Sequence, residues 1–266
     1  MTASLGRMWA IALNTFREAA RIRVLYGILI LVIGANLLAI VLGEMSISES
    51  ARVARDVGLA GISLFGALTA IYLGVALLYG EIQRRTIYAI ISKPLARWEF
   101  VVGKYAGMAL VLSVLVALFA AAMLGLLSLQ GVAITAAVGK AILLAWLEVL
   151  VVAAIAVFFS SFSSPFLSGI FTLALWVIGR VTPELRAAAA QADAAWIRGT
   201  ARAALAVVPD LHLFSISGSA VDGVAVSVHG AFVSWAYVGA ALGHGVLWIA
   251  ALLVVACAIF RKRDFV

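Results

Sequence analysis

Residues Ala141–Phe159 read AILLAWLEVLVVAAIAVFF, nineteen consecutive positions at which Glu148 is the only charged side chain. A helix needs roughly 20 mostly apolar residues to cross the hydrocarbon layer of a bilayer. The whole chain of 266 residues has the same character, since 65% of it is hydrophobic and 12% is charged. Soluble domains carry about 25% charged residues. The sequence therefore predicts an integral membrane protein.

Six apolar segments predict one all-α integral membrane domain over residues 1–266. The fifth segment is short for a crossing, and the sixth is longer than one crossing requires. The predicted transmembrane helices are residues 24–43, 57–80, 105–130, 141–159, 163–181 and 231–260.

The distribution of charge predicts the orientation. An even number of spans places both termini on one side of the membrane, and that side carries twelve Lys and Arg residues against four acids. The opposite side carries seven of each sign. Because cytoplasmic segments of membrane proteins are enriched in Lys and Arg, both termini are predicted to be cytoplasmic. The net charge of +7 then reflects topology, and no nucleic-acid partner is expected.

Residues 1–23 precede the first span and contain an amphipathic pattern over Leu5–Ala20. A helix of this kind can lie in the plane of the lipid headgroups. Its predicted apolar face consists of Leu5, Met8, Trp9, Ala12, Phe16 and Ala19. Two interpretations stay open, a fixed membrane anchor and an elbow helix that moves with the first span.

Residues Glu81–Lys104, EIQRRTIYAIISKPLARWEFVVGK, join the second and third spans on the cytoplasmic side. The segment is long for a connection in a compact bundle. Its first part continues a helical pattern, Pro94 breaks that pattern, and a second helix follows from about Ala96. A loop that only fixes topology does not need apolar side chains such as Ile87 and Ile91. The pattern favours a docking surface for a cytoplasmic partner over a simple basic loop.

Residues 182–230 form a long predicted extracytoplasmic loop. Loops of this length are often functional. An exit gate, a contact for an extracytoplasmic partner and a plain connector all stay open. Within the loop, Leu211–Phe214 is apolar enough to dip back toward the bilayer.

Two GxxxG spacings indicate that helices approach each other closely. Packing inside one subunit and packing between two subunits are both compatible with them. The spacings are Gly103/Gly107 and Gly239/Gly243.

No motif for nucleotide binding or catalysis is present in the sequence. The chain lacks a Walker loop, an HExxH helix, a GxSxG elbow and a dinucleotide fingerprint. His212, His229 and His244 are scattered without carboxylates at ligand-like spacing, so no metal site is predicted. The single cysteine, Cys257, excludes an intrachain disulfide. A non-enzymatic protein that binds no cofactor itself is expected.

Glu148 is the one acid well inside a predicted span. An ionisable residue at that depth is costly and is read first as a functional group that faces the bundle or a cavity. The alternative is a protonated, neutral Glu that is hydrogen-bonded to a neighbouring helix. Asn36 and His244 are the partners that the sequence suggests.

The region Gly80–Gly107 resembles the coupling segment of ABC-2 type transporter permeases. The matching residues are Glu81, Arg85-Thr86-Ile87, Ile90-Ile91-Ser92-Lys93-Pro94, Arg97, Gly103-Lys104 and Gly107. The N-terminal NTFREAxRxR pattern, the Pro209-Asp210-Leu211 stretch and the Phe260–Phe265 ending are also similar, so the resemblance covers nearly the full length.

The resemblance implies the membrane subunit of a bacterial ABC exporter in the cytoplasmic (inner) membrane. Two separately encoded ATPase subunits would use ATP and Mg²⁺ and dock on residues 81–104. A second permease copy or a related subunit would complete the transporter. The implied ATPase-coupling residues are Glu81, Arg84, Arg85, Thr86, Ile87, Ile91, Ser92, Lys93, Pro94, Arg97 and Lys104.

Two other functional classes compete with this one. A secondary transporter or channel would use Glu148 as a proton or ion site without an ATPase, but the sequence shows no inverted repeat of hydropathy. An intramembrane enzyme would need paired catalytic residues at membrane depth, and none is visible in the sequence.

Overall fold

The computed structural model describes residues 2–44, 50–83, 96–132, 134–191, 195–215, 217–221, 224–227 and 234–262. Helices make up most of this part of the chain. They are α1 (Thr2–Ala20), α2 (Arg23–Glu44), α3 (Ser50–Gln83), α4 (Arg97–Leu129), α5 (Ala136–Ser160), α6 (Pro165–Arg180), α7 (Thr182–Gln191), α8 (Ala195–Val207) and α9 (Trp235–Lys262). A 3-10 turn (Leu211–Phe214) and two strands, β1 (Ser217–Val221) and β2 (Val224–Ser227), lie between α8 and α9.

Four of the described helices, α3, α4, α5 and α9, are long and apolar enough to cross a membrane. Two further pairs of helices meet at sharp bends, and the number of crossings rises to six if each pair is one span. The pairs are Ser4–Ala20 with Arg23–Leu38, bent by 64°, and Pro165–Arg180 with Thr182–Gln191, bent by 66°. The multi-pass helical architecture is confirmed at this level, while the count of six stays a prediction.

The centre of the bundle is α5, whose apolar window is 72% buried. A helix that is hydrophobic on all sides belongs in the interior. Its closest neighbour is α3, where a Cβ added at Gly66 would lie 2.5 Å from Val149 Cγ2. A Cβ at Gly74 would lie 2.3 Å from Ala156 Cβ. Since only glycine permits such an approach, the two glycines let α3 lie directly against α5.

A GxxxG spacing also brings α1 and α4 together. A Cβ at Gly107 would lie 2.5 Å from the carbonyl oxygen of Ala12 and 2.5 Å from Thr15 Cβ, and a Cβ at Gly103 would lie 2.9 Å from Ile11 Cβ. This spacing therefore serves packing within one subunit. The second spacing, in α9, has none of the described residues within 4 Å of the corresponding Cβ positions.

The buried face of α1 is rotated from the predicted one. Ala12 and Ala19 are buried as predicted, but Leu5 and Trp9 are 62% and 61% exposed. Thr15, which was not assigned to the apolar face, is fully buried. The two glycines of α4 make room for the backbone of α1 and for Thr15, so small residues occupy the most buried positions. Leu5 and Trp9 point outward, whereas Phe16 is partly buried against the core.

Residues 182–230 contain more regular structure than the predicted loop. The helices α7 and α8 pack on each other, and β1 and β2 form an antiparallel hairpin in which Val221 lies opposite Val224. This small hairpin was not predicted, and the described part of the fold is otherwise helical, as expected. The sequence places Asp-Gly between two short runs with alternating valines, which is a typical hairpin pattern.

Candidate functional site

The predicted coupling segment, Glu81–Lys104, joins α3 to α4, and the structure describes both of its ends. Glu81 belongs to the last turn of α3, whereas Arg97 and Lys104 belong to the first turns of α4. The other predicted coupling residues lie outside the described part of the chain: Arg84, Arg85, Thr86, Ile87, Ile91, Ser92, Lys93 and Pro94.

Arg97 binds the C-terminal end of α9. Its Nη1 donates to the carbonyl oxygen of Arg261 at 2.9 Å and to that of Phe260 at 3.5 Å. The last carbonyls of a helix lack intrahelical partners and carry partial negative charge, so a guanidinium there is favourable. One turn along α4, the ring of Phe100 stacks on that of Phe260 with centroids 5.8 Å apart. The start of α4 is thus attached to the end of the last helix.

Glu99 binds the start of α1, a role that the sequence analysis missed. Its side chain is almost fully buried. Arg7 clamps it with two hydrogen bonds, Nη2 to Oε1 at 2.7 Å and Nε to Oε2 at 3.1 Å, and the Ser4 hydroxyl also donates to it. The backbone N–H of Ala96 donates to Oε2 at 3.2 Å. The carboxylate of Glu99 is thus bound by the side chains of Arg7 and Ser4 and by the backbone at the start of its own helix.

Lys104 provides a second connection between α4 and α1. Its side chain is buried, and its Nζ lies 3.4 Å from Glu18 Oε2. Two of the predicted coupling residues, Arg97 and Lys104, therefore lie in a junction of α1, α4 and α9, together with the unpredicted Glu99. We call this group of contacts, Arg97–α9, Glu99–Arg7 and Lys104–Glu18, the helix junction.

Glu148 forms a second polar site, in the middle of α5. Its side chain is 1% exposed and accepts hydrogen bonds from Trp176 Nε1 at 2.9 Å and from the Ser63 hydroxyl at 2.6 Å. Arg180 Nη1 lies 3.0 Å from Oε1 and completes an ion pair. The carboxylate thus faces the interior of the bundle, where α3, α5 and α6 meet.

The partners predicted for Glu148 were wrong. Asn36 instead donates from Nδ2 to the carbonyl oxygen of Val32, one turn earlier in its own helix, at 2.8 Å. His244 packs against the ring of Trp248. Arg180 lies at the end of the predicted fifth span, 163–181, and its contact with Glu148 was not predicted. Because α6 is short, its last residue reaches the level of Glu148.

The model of one protein family, described as ABC-2 family transporter protein, matches residues 9–265. The chain belongs to this family. It is an ABC transporter permease, and the family implies association with an ABC ATPase. No curated protein matches the chain.

A small cavity of about 20 Å³ adjoins Glu148 in the permease, which is room for about one water molecule. The ion pair of Glu148 and Arg180 forms part of its wall. Other lining residues come from α3, from α5, and from the 3-10 turn with the residue that follows it: Asp56, Ser63, Ala145, Phe214 and Ser215.

Polar contacts join the start of α7 to the segment that precedes the 3-10 turn. Asp210 accepts a hydrogen bond from the Thr182 hydroxyl at 2.6 Å and from Arg186 Nη2 at 2.7 Å. A Cβ at Gly179 would lie 2.8 Å from the carbonyl oxygen of Pro209, so the two segments touch through their backbones. The Pro209-Asp210-Leu211 stretch that resembled the family is therefore part of the packing around the end of α6.

The described residues contain no group of three or more His, Cys, Asp and Glu side chains that could hold a metal ion. The histidines that the sequence analysis considered include His212 in the buried 3-10 turn and His244 in α9. The third, His229, lies outside the described residues.

Proposed function

We propose that this permease exports a substrate across the bacterial cytoplasmic membrane, driven by two ATPase subunits that dock on residues 81–104. The main observation that supports this proposal is the helix junction, which lies at the end of the coupling segment. The coupling segment re-enters the bundle at Arg97, and within three residues the chain is bound to both α9 and α1. A displacement of the docked segment would therefore act on three helices together.

The proposed layout has six spans with both termini in the cytoplasm. In it, α1 is the elbow helix on the membrane surface, α2 is the first span, and α6 contributes the fifth. The 64° bend between α1 and α2 supports an elbow, and the twelve Lys and Arg residues on the side of the termini support the orientation.

In the complete transporter, ATP and Mg²⁺ bind to the ATPase, and the permease itself binds no nucleotide. A second copy of the permease, or a related subunit, pairs with the first within the bilayer. The outward segment 182–230 is the part available to an extracytoplasmic partner. The family membership supports the ATPase partner.

The test is purification of the tagged permease from its native membranes in mild detergent. We expect an ATPase subunit in stoichiometric amount and vanadate-sensitive ATP hydrolysis. The variant Arg84→Glu/Arg85→Glu should lose the ATPase while still inserting in the membrane. The matched control, Arg186→Glu on the opposite side, should retain it. A lone permease, under conditions in which other ABC complexes survive, would contradict the proposal.

An ATP-independent transporter that uses Glu148 as a proton or ion site is the second candidate. The small cavity beside a buried carboxylate is the observation that favours it. The two candidates differ in one measurement, because only the second predicts substrate transport by vesicles that contain the permease without an ATPase.

A further inference from the structure

The end of α6 lies well inside the bundle. At 1.5 Å per residue, the helix extends only about 24 Å from Pro165 to Arg180, which is less than the roughly 30 Å of the hydrocarbon layer. Its last residue pairs with Glu148, at the midpoint of the 25-residue α5. At such depth, non-helical backbone is tolerated only where protein or a water-filled cavity surrounds it. The bend after Arg180 therefore depends on the contacts made there.

Arg180 is the residue that makes these contacts. Through Nη1 it binds Glu148 of α5 and the Ser63 hydroxyl of α3. Through Nη2 it donates to the Ser215 hydroxyl at 3.2 Å, directly after the 3-10 turn. One guanidinium thus joins the interior of the bundle to the segment that returns from the extracytoplasmic side.

The 3-10 turn forms one wall of the cavity beside Glu148. Leu211 and Phe214 are fully buried, and the Phe214 ring forms part of the cavity wall. On the opposite side, the Tyr237 hydroxyl of α9 donates to the carbonyl oxygen of Leu213 at 2.7 Å. The turn is therefore held between α5, α6 and α9, and Arg180 binds it from within.

Burying an ion pair costs desolvation free energy, which the attraction between the two charges often does not exceed. Replacing such a pair with apolar residues of similar volume is often neutral or stabilising. The guanidinium stays charged at all physiological pH values, and its planar fork can bind several acceptors at once. An Arg that bridges a fixed carboxylate and a returning segment is therefore suited to a contact that breaks and re-forms.

We propose that Arg180 is a positioning residue that holds the 3-10 turn over the cavity, so that release of Arg180 from Ser215 opens the cavity toward the extracytoplasmic side. This inference rests on the proposed function, since opening at that side is the outward step of an export cycle. In the conformation described, the cavity has room for about one water molecule. Displacement of the turn would remove one of its walls, so we expect a larger reagent to react there faster after the turn moves.

The single native cysteine makes the test direct. In a Cys257→Ala background, Ala145→Cys places one thiol on the cavity wall, and a membrane-impermeant charged thiol reagent is added from the extracytoplasmic side. We expect slow labelling when Arg180 is present. Arg180→Gln should accelerate it by about tenfold or more, since hydrogen bonds to charged groups are among the stronger ones in proteins.

Two further variants separate this role from loss of folding. Glu148→Gln/Arg180→Gln leaves no unpaired charge in the bundle, and it should label as fast as Arg180→Gln because the contact with Ser215 is also lost. Arg7→Gln removes an arginine from the other buried carboxylate, and it should label at the original rate. The proposal is overturned if the double variant, eluting as a single species in size-exclusion chromatography, labels slowly. It is equally overturned if Arg7→Gln accelerates labelling to the same extent.

A last measurement distinguishes this inference from the proposed function. In the complex with its ATPase, trapping with vanadate should accelerate labelling of Ala145→Cys while Arg180 is present. An intact, hydrolysing complex in which trapping leaves the rate unchanged would refute the positioning role alone. If no ATPase associates, the proposed function fails, and the comparison of the variants without ATPase still decides whether Arg180 closes the cavity.

Discussion

Two buried carboxylates, Glu99 and Glu148, are each bound by an arginine, and the difference between their surroundings is instructive. Arg7, beside Glu99, has 41% of its side chain exposed, whereas Arg180, beside Glu148, has 26% exposed and binds residues of three separate segments. Glu99 also accepts from its own helix start at Ala96. The first pair is a surface attachment between helix ends. The second lies where the bundle is most apolar, so removing either partner there has larger consequences.

The largest effect is expected from Arg180→Ala. It leaves the Glu148 carboxylate without a counter-charge inside the bundle, and the loss of one partner of a buried pair costs about 3–5 kcal/mol. The thermal unfolding midpoint in detergent, followed by circular dichroism, should fall well below that of the unmodified permease. A midpoint within a degree of it would show that Glu148 does not depend on Arg180.

A smaller loss is expected from Gly107→Ala, which tests how α1 is held beside the first pair. The new Cβ would meet the backbone of Ala12 and the side chain of Thr15, and overpacking of this kind typically costs about 1–3 kcal/mol. Gly239→Ala is the matched control, because no described residue lies near its Cβ position, and alanine favours helix over glycine. Equal midpoints for the two variants would contradict the close packing of α1 on α4.

Arg7→Gln should lower the midpoint less than Arg180→Ala, because Glu99 retains its hydrogen bonds from Ser4 and Ala96. Its effect should also shrink when the salt concentration rises from 0.05 M to about 1 M, since exposed charges are screened over a few ångströms at high salt. The effect of Arg180→Ala should not shrink in this way. The same salt dependence for both variants would remove the distinction drawn between the two pairs.

The smallest effect is expected from Arg186→Gln. Its pair with Asp210 lies at the outer end of the structure with the Arg side chain half exposed, and such pairs contribute about 0–1 kcal/mol. The unfolding midpoint should stay close to that of the unmodified permease, and the labelling rate at Ala145→Cys should change little. If Arg186→Gln lowered the unfolding midpoint as much as Arg180→Ala, the pair of Arg186 and Asp210 would contribute as much to stability as the pair of Arg180 and Glu148.

Much of the fold followed from apolar runs and from proline and glycine. The long described helices α3, α4, α5 and α9 overlap predicted spans, and Glu148 was singled out because charge in an apolar run is costly. The pattern does not predict that the end of α6 lies beside the middle of α5, where Arg180 binds Glu148. That position depends on the length of α6 and on the return of the chain through the 3-10 turn. The contact of Arg180 with Glu148 was therefore not predicted.

The helix junction was predictable only in part. Arg97 and Lys104 were recognised from their resemblance to a family motif, whereas Glu99 was counted as one more cytoplasmic acid. An acid three residues after Ala96, at the start of a helix, is a recognisable N-terminal signal. Nothing in it points to Arg7, ninety-two residues earlier in the chain. The buried face of α1 could not be predicted from its own sequence, because that face depends on Gly103 and Gly107 of α4.

The capping of α9 by Arg97 has a practical consequence for handling the protein. The carbonyl oxygens that Arg97 binds belong to Phe260 and Arg261, in the last described turn of α9. A rigid helical extension that continued α9 through residues 264 and 265 would direct the amide N–H groups of those two residues at the same oxygens, where they would compete with the guanidinium. Affinity tags and fluorescent reporters on this terminus therefore belong behind a flexible glycine–serine linker, which leaves the helix end as it is.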